Sequence, residues 1–562
     1  MPAFAPLSVA VPLAAPAADV YSTKSAARPD RRQRALVWLM LLTVCFVVGG
    51  SPPPDVNETH YLTKARHYWD PSFCPGDAFL DSADPHLIFY WTVGWLAAVA
   101  PLATAAWIGR FAAWGLIAWG WLRLGEQLYG DQSDAHASRQ RELSAALATV
   151  TSAALWLALI EYTNFAGEWV VGGVEGKCFA YGFVLCGLAA MLRGAWNRAW
   201  IFMGLASAFH VLVGGWSVLA AAGAWATQRD GTRPALRGML PGLVAGGAIA
   251  CGGLVPAVWL ERGVPPETAA EAARIYVFDR LPHHLAPLTL PGDELVRRAL
   301  RFGVLTAAFV ALAVGNRSKK QAFIDRFAAG SLAFFAIGLI LEAVLGGDQL
   351  VAARWLRYYW FRLADVAVPL AVATSAAGLA RRWFEERGSW RQLVAAAPLA
   401  WSAWVLLGMT AARWQQPQPR AARRLSPPAL ADWQDACAWI DANLPADALL
   451  LTPKHMQTFK WYAHRGDAGN WKDVPQDAAS VVAWRKRIDE LFPSVADEEG
   501  TLWPVNSPAA QGADRVIALG RECSATHVLD RRTDVLPLPL LYANEHFAVY
   551  ELPAPMPDGT TE

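Results

Sequence analysis

"ALVWLMLLTVCFVVGGSPPPDVNETHYLTKARHYWDP", residues 35–71, sets an uncharged apolar run directly against a segment crowded with Asp55, Glu58, His60, Lys64 and His67. The run 35–50 is just long enough to span a bilayer. With "RPDRRQR" (28–34) before it and no small-residue cleavage site, it reads as a retained signal-anchor helix. The polar segment therefore emerges at a membrane surface.

Composition points the same way. Of 562 residues 54% are hydrophobic, 28 are Trp and only 17% are charged, which is the profile of a polytopic membrane protein. The Arg and Lys come in short clusters between apolar runs and form no continuous basic face, which argues against nucleic-acid binding. The seven Cys have neither CxxC nor Cys/His spacing, so a zinc site is not expected. Cys437 and Cys523 would be able to pair if the tail lies outside the cytoplasm.

Nearly charge-free runs recur at 86–109, 111–122, 143–160, 178–192, 199–228, 238–260, 302–315, 327–341, 366–380 and 392–412. In lipid such runs must be helices, giving about eleven or twelve passes. The basic clusters all fall on one side only if 86–105, which contains Pro101, does not cross fully. The run 199–228 must also fold as a hairpin turning near Gly214 and Gly215. The expected organisation is a disordered cytoplasmic tail 1–34, a transmembrane domain 35–412 with an extracytoplasmic loop 52–85, and an extracytoplasmic soluble domain 413–562. The alternation in the tail of "PALADWQDACAWIDANLP", "DALLLTP", "DAASVVAWRKRIDELF", "ATHVLDR" and "HFAVYEL" predicts helix, strand, helix, strand and strand in a three-layer α/β fold. No phosphate-binding Gly-rich loop follows a strand there.

Candidate chemistry sits in four places. A helix starting near Asn57 places Glu58, Tyr61 and Ala65 on one face, with Asp55 and His60 beside it; a carboxylate there is suited to general-base work. Glu168, Glu175 and Lys177 are wedged between apolar runs, where charges need partners or a water-filled cavity. Spaced by seven, the two carboxylates would share a helical face and suit a divalent ion or a Lys. His210 is the only ionisable residue of its apolar run. Arg354, Arg357 and Arg362 straddle the start of a late span, with Asp365 as the expected partner of one of them. Guanidinium forks suit phosphate. Interfacial anchoring explains the arginines and Lys177 equally well, and a satisfied core histidine explains His210. In the tail, His455, Lys460, His464, Arg465 and Lys472 mix with aromatics, a combination suited to sugars and phosphates but also to an ordinary surface.

The stretch "NETHYLTKA" resembles the acidic motif that many GT-C membrane glycosyltransferases carry just after the first span. Asn57, Glu58, Tyr61 and Ala65 stand at its D-E-x-x-Y-x-x-x-A positions. Asn57 replaces the usual catalytic Asp, so Glu58 or Asp55 would have to supply the carboxylate. "DPHLIFYWTVGWL" and "RWLRYYWFRLADVAVPLAVA" are similar to that superfamily's His/Pro-aromatic and phosphate-holding Arg-Tyr segments. The N-E-x-H-Y-L and F-K-W-Y-A-x-R signatures resemble a bacterial branch with no assigned activity.

The resemblance implies an inner-membrane enzyme with a cytoplasmic N-terminus. It would take sugar from a polyprenyl-phosphate donor and pass it to an extracytoplasmic acceptor. Glu58, helped by Asp55, would be the base, and Arg357 or Arg362 would hold phosphate. Glu168, Glu175 and His210 would line the cavity, with no cofactor required beyond a possible divalent ion. A transporter or flippase with Glu175 and His210 on its path is the alternative, although the two halves show no symmetry. Asn57 also leaves open a catalytically inactive scaffold.

Overall fold

The computed structural model describes residues 31–130, 139–229, 233–315, 318–385, 389–496 and 502–553. The expected tail lies outside the described residues up to position 30.

Among the described residues eleven helices form the bundle: Arg31–Gly49, Leu102–Tyr129, Arg139–Thr163, Gly176–Leu192, Trp196–Phe209, Val211–Ala226, Leu236–Trp259, Gly292–Gly315, Lys319–Leu345, Ala364–Glu385 and Ser389–Gln415. Six of the described helices are long and apolar enough to cross a bilayer, and the chain is a multi-pass membrane protein. Segment 86–101 does not cross as one helix. Its short helical pieces Leu87–Phe89, Tyr90–Gly94 and Leu96–Val99 end at Pro101, which opens the long helix Leu102–Tyr129. The hairpin expected in 199–228 is present, but it breaks at His210 rather than at the glycines. Gly214 lies inside the second arm, against the Ser207 backbone.

Tryptophan supplies much of the core. Trp121 and Trp156 stack at 4.6 Å, and their indole N–H groups donate to Thr149 O (3.0 Å) and Val366 O (3.1 Å). Large apolar rings are thus buried without leaving a donor unmet. Helices Trp196–Phe209 and Leu236–Trp259 approach through glycine. A Cβ at Gly253 would stand 2.6 Å from Ala208 O.

The tail folds into the three layers expected. A mixed five-stranded sheet runs in the order β2 (Gly466–Asp467), β1 (Leu449–Leu451), β5 (His527–Arg531), β7 (Phe547–Glu551), β6 (Leu540–Ala543). Strands β3 (Ser494–Ala496) and β4 (Leu502–Pro504) pair separately. Helix Pro427–Asn443 packs on one face of the sheet, with Leu450, Leu529 and Val549. Helices Ala478–Leu491 and Ala513–Cys523 pack on the other, with Leu451, Val528 and Ala548. Cys437 and Cys523 belong to these two opposite layers, and both are free thiols.

Candidate active site

Loop 52–85, loop 164–175, the His210 break, segment 260–291, segment 346–363 and the tail domain meet at one end of the bundle. Helix Glu58–Trp69 follows the first span there, and its buried face is Glu58, Leu62 and Ala65.

Glu58 is 0% exposed, and both of its carboxylate oxygens are occupied. Oε1 accepts from Arg110 Nε (2.6 Å) and from Val174 N (2.9 Å). Oε2 accepts from Arg110 Nη2 (2.6 Å) and from Asp55 N (2.7 Å). Arg110 is likewise 0% exposed and completes its set with Ser51 O at 2.5 Å. This is a bidentate, charge-assisted pair tying the first loop to helix Leu102–Tyr129 and to loop 164–175. Gly173 fits beneath it because a Cβ there would meet Asp55 Cβ at 2.6 Å. A base needs an oxygen facing its substrate, and Glu58 has none to offer. Asp55 is buried too, with Oδ1 on Val56 N and Oδ2 3.7 Å from Arg420. Sequence reading missed Arg110, although the signal was there: a lone guanidinium separates the apolar runs 86–109 and 111–122.

The residues that do converge form a chain of ionic contacts. Asn57 accepts from Lys472 Nζ (2.6 Å) and donates to Glu175 Oε2 (3.2 Å). Lys177 Nζ stands 3.1 Å from Glu175 Oε1 and 3.5 Å from Glu168 Oε1, over the Trp169 ring. Glu168 Oε2 is 3.0 Å from Arg362 Nε, and Arg362 Nη1 is 3.1 Å from His210 Nε2. Loop 164–175 is not helical, so Glu168 and Glu175 share no helical face; they meet across Lys177, whose ammonium fills the place of the divalent ion that their spacing suggested. Asp365 does not pair with an arginine. It accepts from the backbone N–H groups of Phe165 (2.8 Å), Ala166 (2.8 Å) and Glu168 (3.3 Å), and so fixes that loop.

Beside this chain lies a cavity of about 440 Å³. Its polar wall includes Tyr61, His86, His210, Tyr276, Arg357 and Arg362. Its apolar wall includes Leu254 and Val258 of helix Leu236–Trp259, which are 46% and 62% exposed on the bundle surface. The Tyr61 ring lies tilted against His86 (4.9 Å), and His86 lies 6.5 Å from His210. Burial, and then the Glu175 carboxylate, push the Tyr61 phenol up. Arg362 lies 3.8 Å over the Tyr359 ring, and the Tyr359 hydroxyl meets that of Tyr276 at 2.9 Å. Tyr359 holds φ of +56°, a strained value for a side-chain-bearing residue. Arg357 reaches the cavity mouth while paired to Glu261 (2.8 Å). Arg354 is exposed and does not line the cavity.

The tail domain docks through Lys460. Its ammonium is 1% exposed and lies 3.1, 3.0 and 2.8 Å from Asp77, Asp467 and Asp473. Burial opposes its charge, but the three carboxylates more than offset this and hold it well above the usual lysine range. His60 faces Asp473 at 3.4 Å and belongs to this clamp, not to the cavity. Burial also raises Asp467 to about 6 against the pull of Lys460. Arg465 caps helix Pro427–Asn443 through Asp441 O and Leu444 O, both at 2.8 Å. His464 pairs with Asp441 at the surface, 3.1 Å away. Lys472 alone of the tail's basic residues reaches the ionic chain. Burial, then Arg280, lower it to about 8. Asp432, Glu545 and His546 form a separate cluster whose ligand atoms lie within 4.8 Å of one another, and none of them lines the cavity.

A domain of unknown function (DUF6798) matches residues 431–491, the segment carrying Lys460 and Lys472. No curated protein matches the chain. Among solved structures it is similar to ArnT from Cupriavidus metallidurans bound to undecaprenyl phosphate, with 12% identity and a TM-score of 0.47. ArnT from the same organism in the apo state gives 13% identity and a TM-score of 0.35. Each comparison covers 92% of this chain and 97% of the other. At these TM-scores the functional reading rests on the site itself.

Proposed function

We propose that the chain is a GT-C-type membrane glycosyltransferase that moves a sugar from a polyprenyl-phosphate donor to an extracytoplasmic acceptor. The observation that carries this is the two-sided cavity: guanidinium groups of Arg357 and Arg362 on one wall, lipid-facing aliphatics on the other. A ligand with an anionic head and a hydrocarbon tail satisfies both walls at once. In this reading the basic loops at the opposite end are cytoplasmic and the cavity opens at the outer face of a bacterial inner membrane.

In this reading the acceptor oxygen attacks the anomeric carbon while the bond from that carbon to the phosphate oxygen breaks. The charge left on the lipid phosphate falls to Arg362, with Arg357 at the mouth. The acceptor proton goes to Glu175, which, like Glu168, stands beside the cavity and not on its lining, against the sequence expectation. Glu175 Oε2 accepts from Asn57 and its Oε1 is paired with Lys177 at 3.1 Å, so Lys177 has to release that oxygen for it to take the proton. Asn57, which stands at the family's Asp position, thus becomes the bridge between that carboxylate and Lys472.

The test incubates purified full-length protein, in vesicles, with undecaprenyl phosphate carrying a radiolabelled sugar. The expected result is release of sugar from phosphate by wild type and its loss in Arg362→Ala. Equal release by both proteins overturns the assignment. Movement of intact lipid-linked sugar across the vesicle without cleavage would favour the flippase reading instead.

A further inference from the structure

At the end of the bundle opposite the active site, three helices leave a second cavity of about 210 Å³. Each contributes to it: Trp119 and Arg123 from helix Leu102–Tyr129; Ala189, Ala190 and Arg193 from helix Gly176–Leu192 and its C-cap; Arg198 from the first turn of helix Trp196–Phe209. The alanines leave the space open. We propose that this cavity binds the phosphodiester of an anionic phospholipid from the leaflet at the basic end of the bundle.

Charge is the first reason. Arg123 is engaged by Glu126 (2.5 Å), which Arg34 also contacts at 2.8 Å. The side chains of Arg193 and Arg198 have no hydrogen-bond or ion-pair partner among the described residues. Two guanidinium groups therefore face one small concavity with no carboxylate assigned to them. The backbone adds to this. The last carbonyls of helix Gly176–Leu192 are already used, since Ala189, Ala190 and Met191 accept from Arg193, Ala195 and Gly194. The first turn of helix Trp196–Phe209 has no side-chain cap, so its free N–H groups favour an anion.

Shape is the second reason. Arginines that only set topology need no cavity, whereas these border one whose rim continues into the lipid-facing surface. Trp119 on that rim is 49% exposed and stands under Arg123, whose guanidinium lies 5.7 Å over its ring. A basic pocket between membrane helices, with an apolar rim for acyl chains, suits a lipid headgroup. The net charge of the headgroup selects it: a zwitterionic lipid brings its own cation and repels Arg193 and Arg198.

The test is native mass spectrometry of the detergent-solubilised full chain titrated with phosphatidylglycerol, with phosphatidylcholine, and with inorganic phosphate competing against phosphatidylglycerol. Wild type is expected to prefer phosphatidylglycerol. Each Arg193→Gln or Arg198→Gln change should weaken it about fivefold, and the pair about twenty-five-fold. Ala190→Phe, which fills the cavity and leaves every charge in place, should abolish the preference in a protein of unchanged melting temperature. This second variant decides the matter if the arginine pair fails to fold. Equal retention of both lipids by wild type, unchanged phosphatidylglycerol binding in a folded variant, or displacement by millimolar inorganic phosphate would each overturn the proposal.

Discussion

Replacing Glu58 by Gln separates a structural clamp from a catalytic base. The amide keeps the shape but offers one acceptor oxygen and one NH2 group. If the NH2 takes the Oε1 place it confronts Arg110 Nε and Val174 N; at the Oε2 place it confronts Arg110 Nη2 and Asp55 N. Either way donors face donors, and Arg110 stays charged in a site with 0% exposure. Breaking one partner of such a buried pair costs about 3–5 kcal/mol. That is a factor of roughly 150 to 5,000 in the folded-to-unfolded ratio, enough to matter for a marginally stable chain. Tryptophan fluorescence during thermal unfolding in detergent reads this directly, and Glu58→Gln is expected to melt well below wild type. The exchanged pair, Glu58→Arg with Arg110→Glu, should not rescue it, because Val174 N and Asp55 N would then face a guanidinium. A Glu58→Gln protein that melts like wild type yet transfers no sugar would refute the clamp and restore Glu58 as the base.

Other outcomes follow from the same contacts. Arg362→Ala should lower kcat/KM about tenfold to a hundredfold, the worth of charge-assisted hydrogen bonds, through both donor binding and kcat; Arg362→Lys should recover part of it. Lys460→Met leaves Asp77, Asp467 and Asp473 buried together without their cation. It should cost about 3–5 kcal/mol and expose the connection 416–426 to limited proteolysis, with Asp467→Asn giving partial relief. Lys472 is charged below about 8 and neutral above, so transfer should show a basic limb near that pH that is missing in Lys472→Met. The unfolded chain keeps this proton up to about 10.5, so between the two values it binds more protons than the folded chain and this group makes stability rise with pH. Activity and stability should therefore move in opposite directions there.

Much of this architecture was legible because lipid permits few solutions. Apolar runs had to be helices, the basic clusters demanded that 86–105 not cross fully, and 199–228 had to fold back. In the tail two helices and three strands were legible from their periodicity, whereas helix Ala513–Cys523 and the short strands β2, β3, β4 and β6 were not. Partner choice was not. Glu58 and Glu175 look alike in sequence; only the fold puts Arg110 against the first and Asn57 and Lys177 against the second. The hairpin was expected at Gly214 and Gly215, of which Gly214 is small for packing against Ser207 and Gly215 faces open space, while the break fell at His210, whose Nδ1 accepts from Val213 N at 3.3 Å as the helix cap. Lys460 read as a surface cation among aromatics. Its three carboxylates come from positions 77, 467 and 473, a separation that no local pattern reveals.

A cryo-electron microscopy structure of the full chain with undecaprenyl phosphate in a lipid nanodisc puts the donor site to its most direct test. The expected density places the phosphate within hydrogen-bonding distance of Arg362 and near Arg357, with the isoprenoid chain leaving past Leu254 and Val258. A phosphate bound elsewhere, with the Arg362–Glu168 pair undisturbed and the cavity empty, would contradict the donor site proposed for this protein.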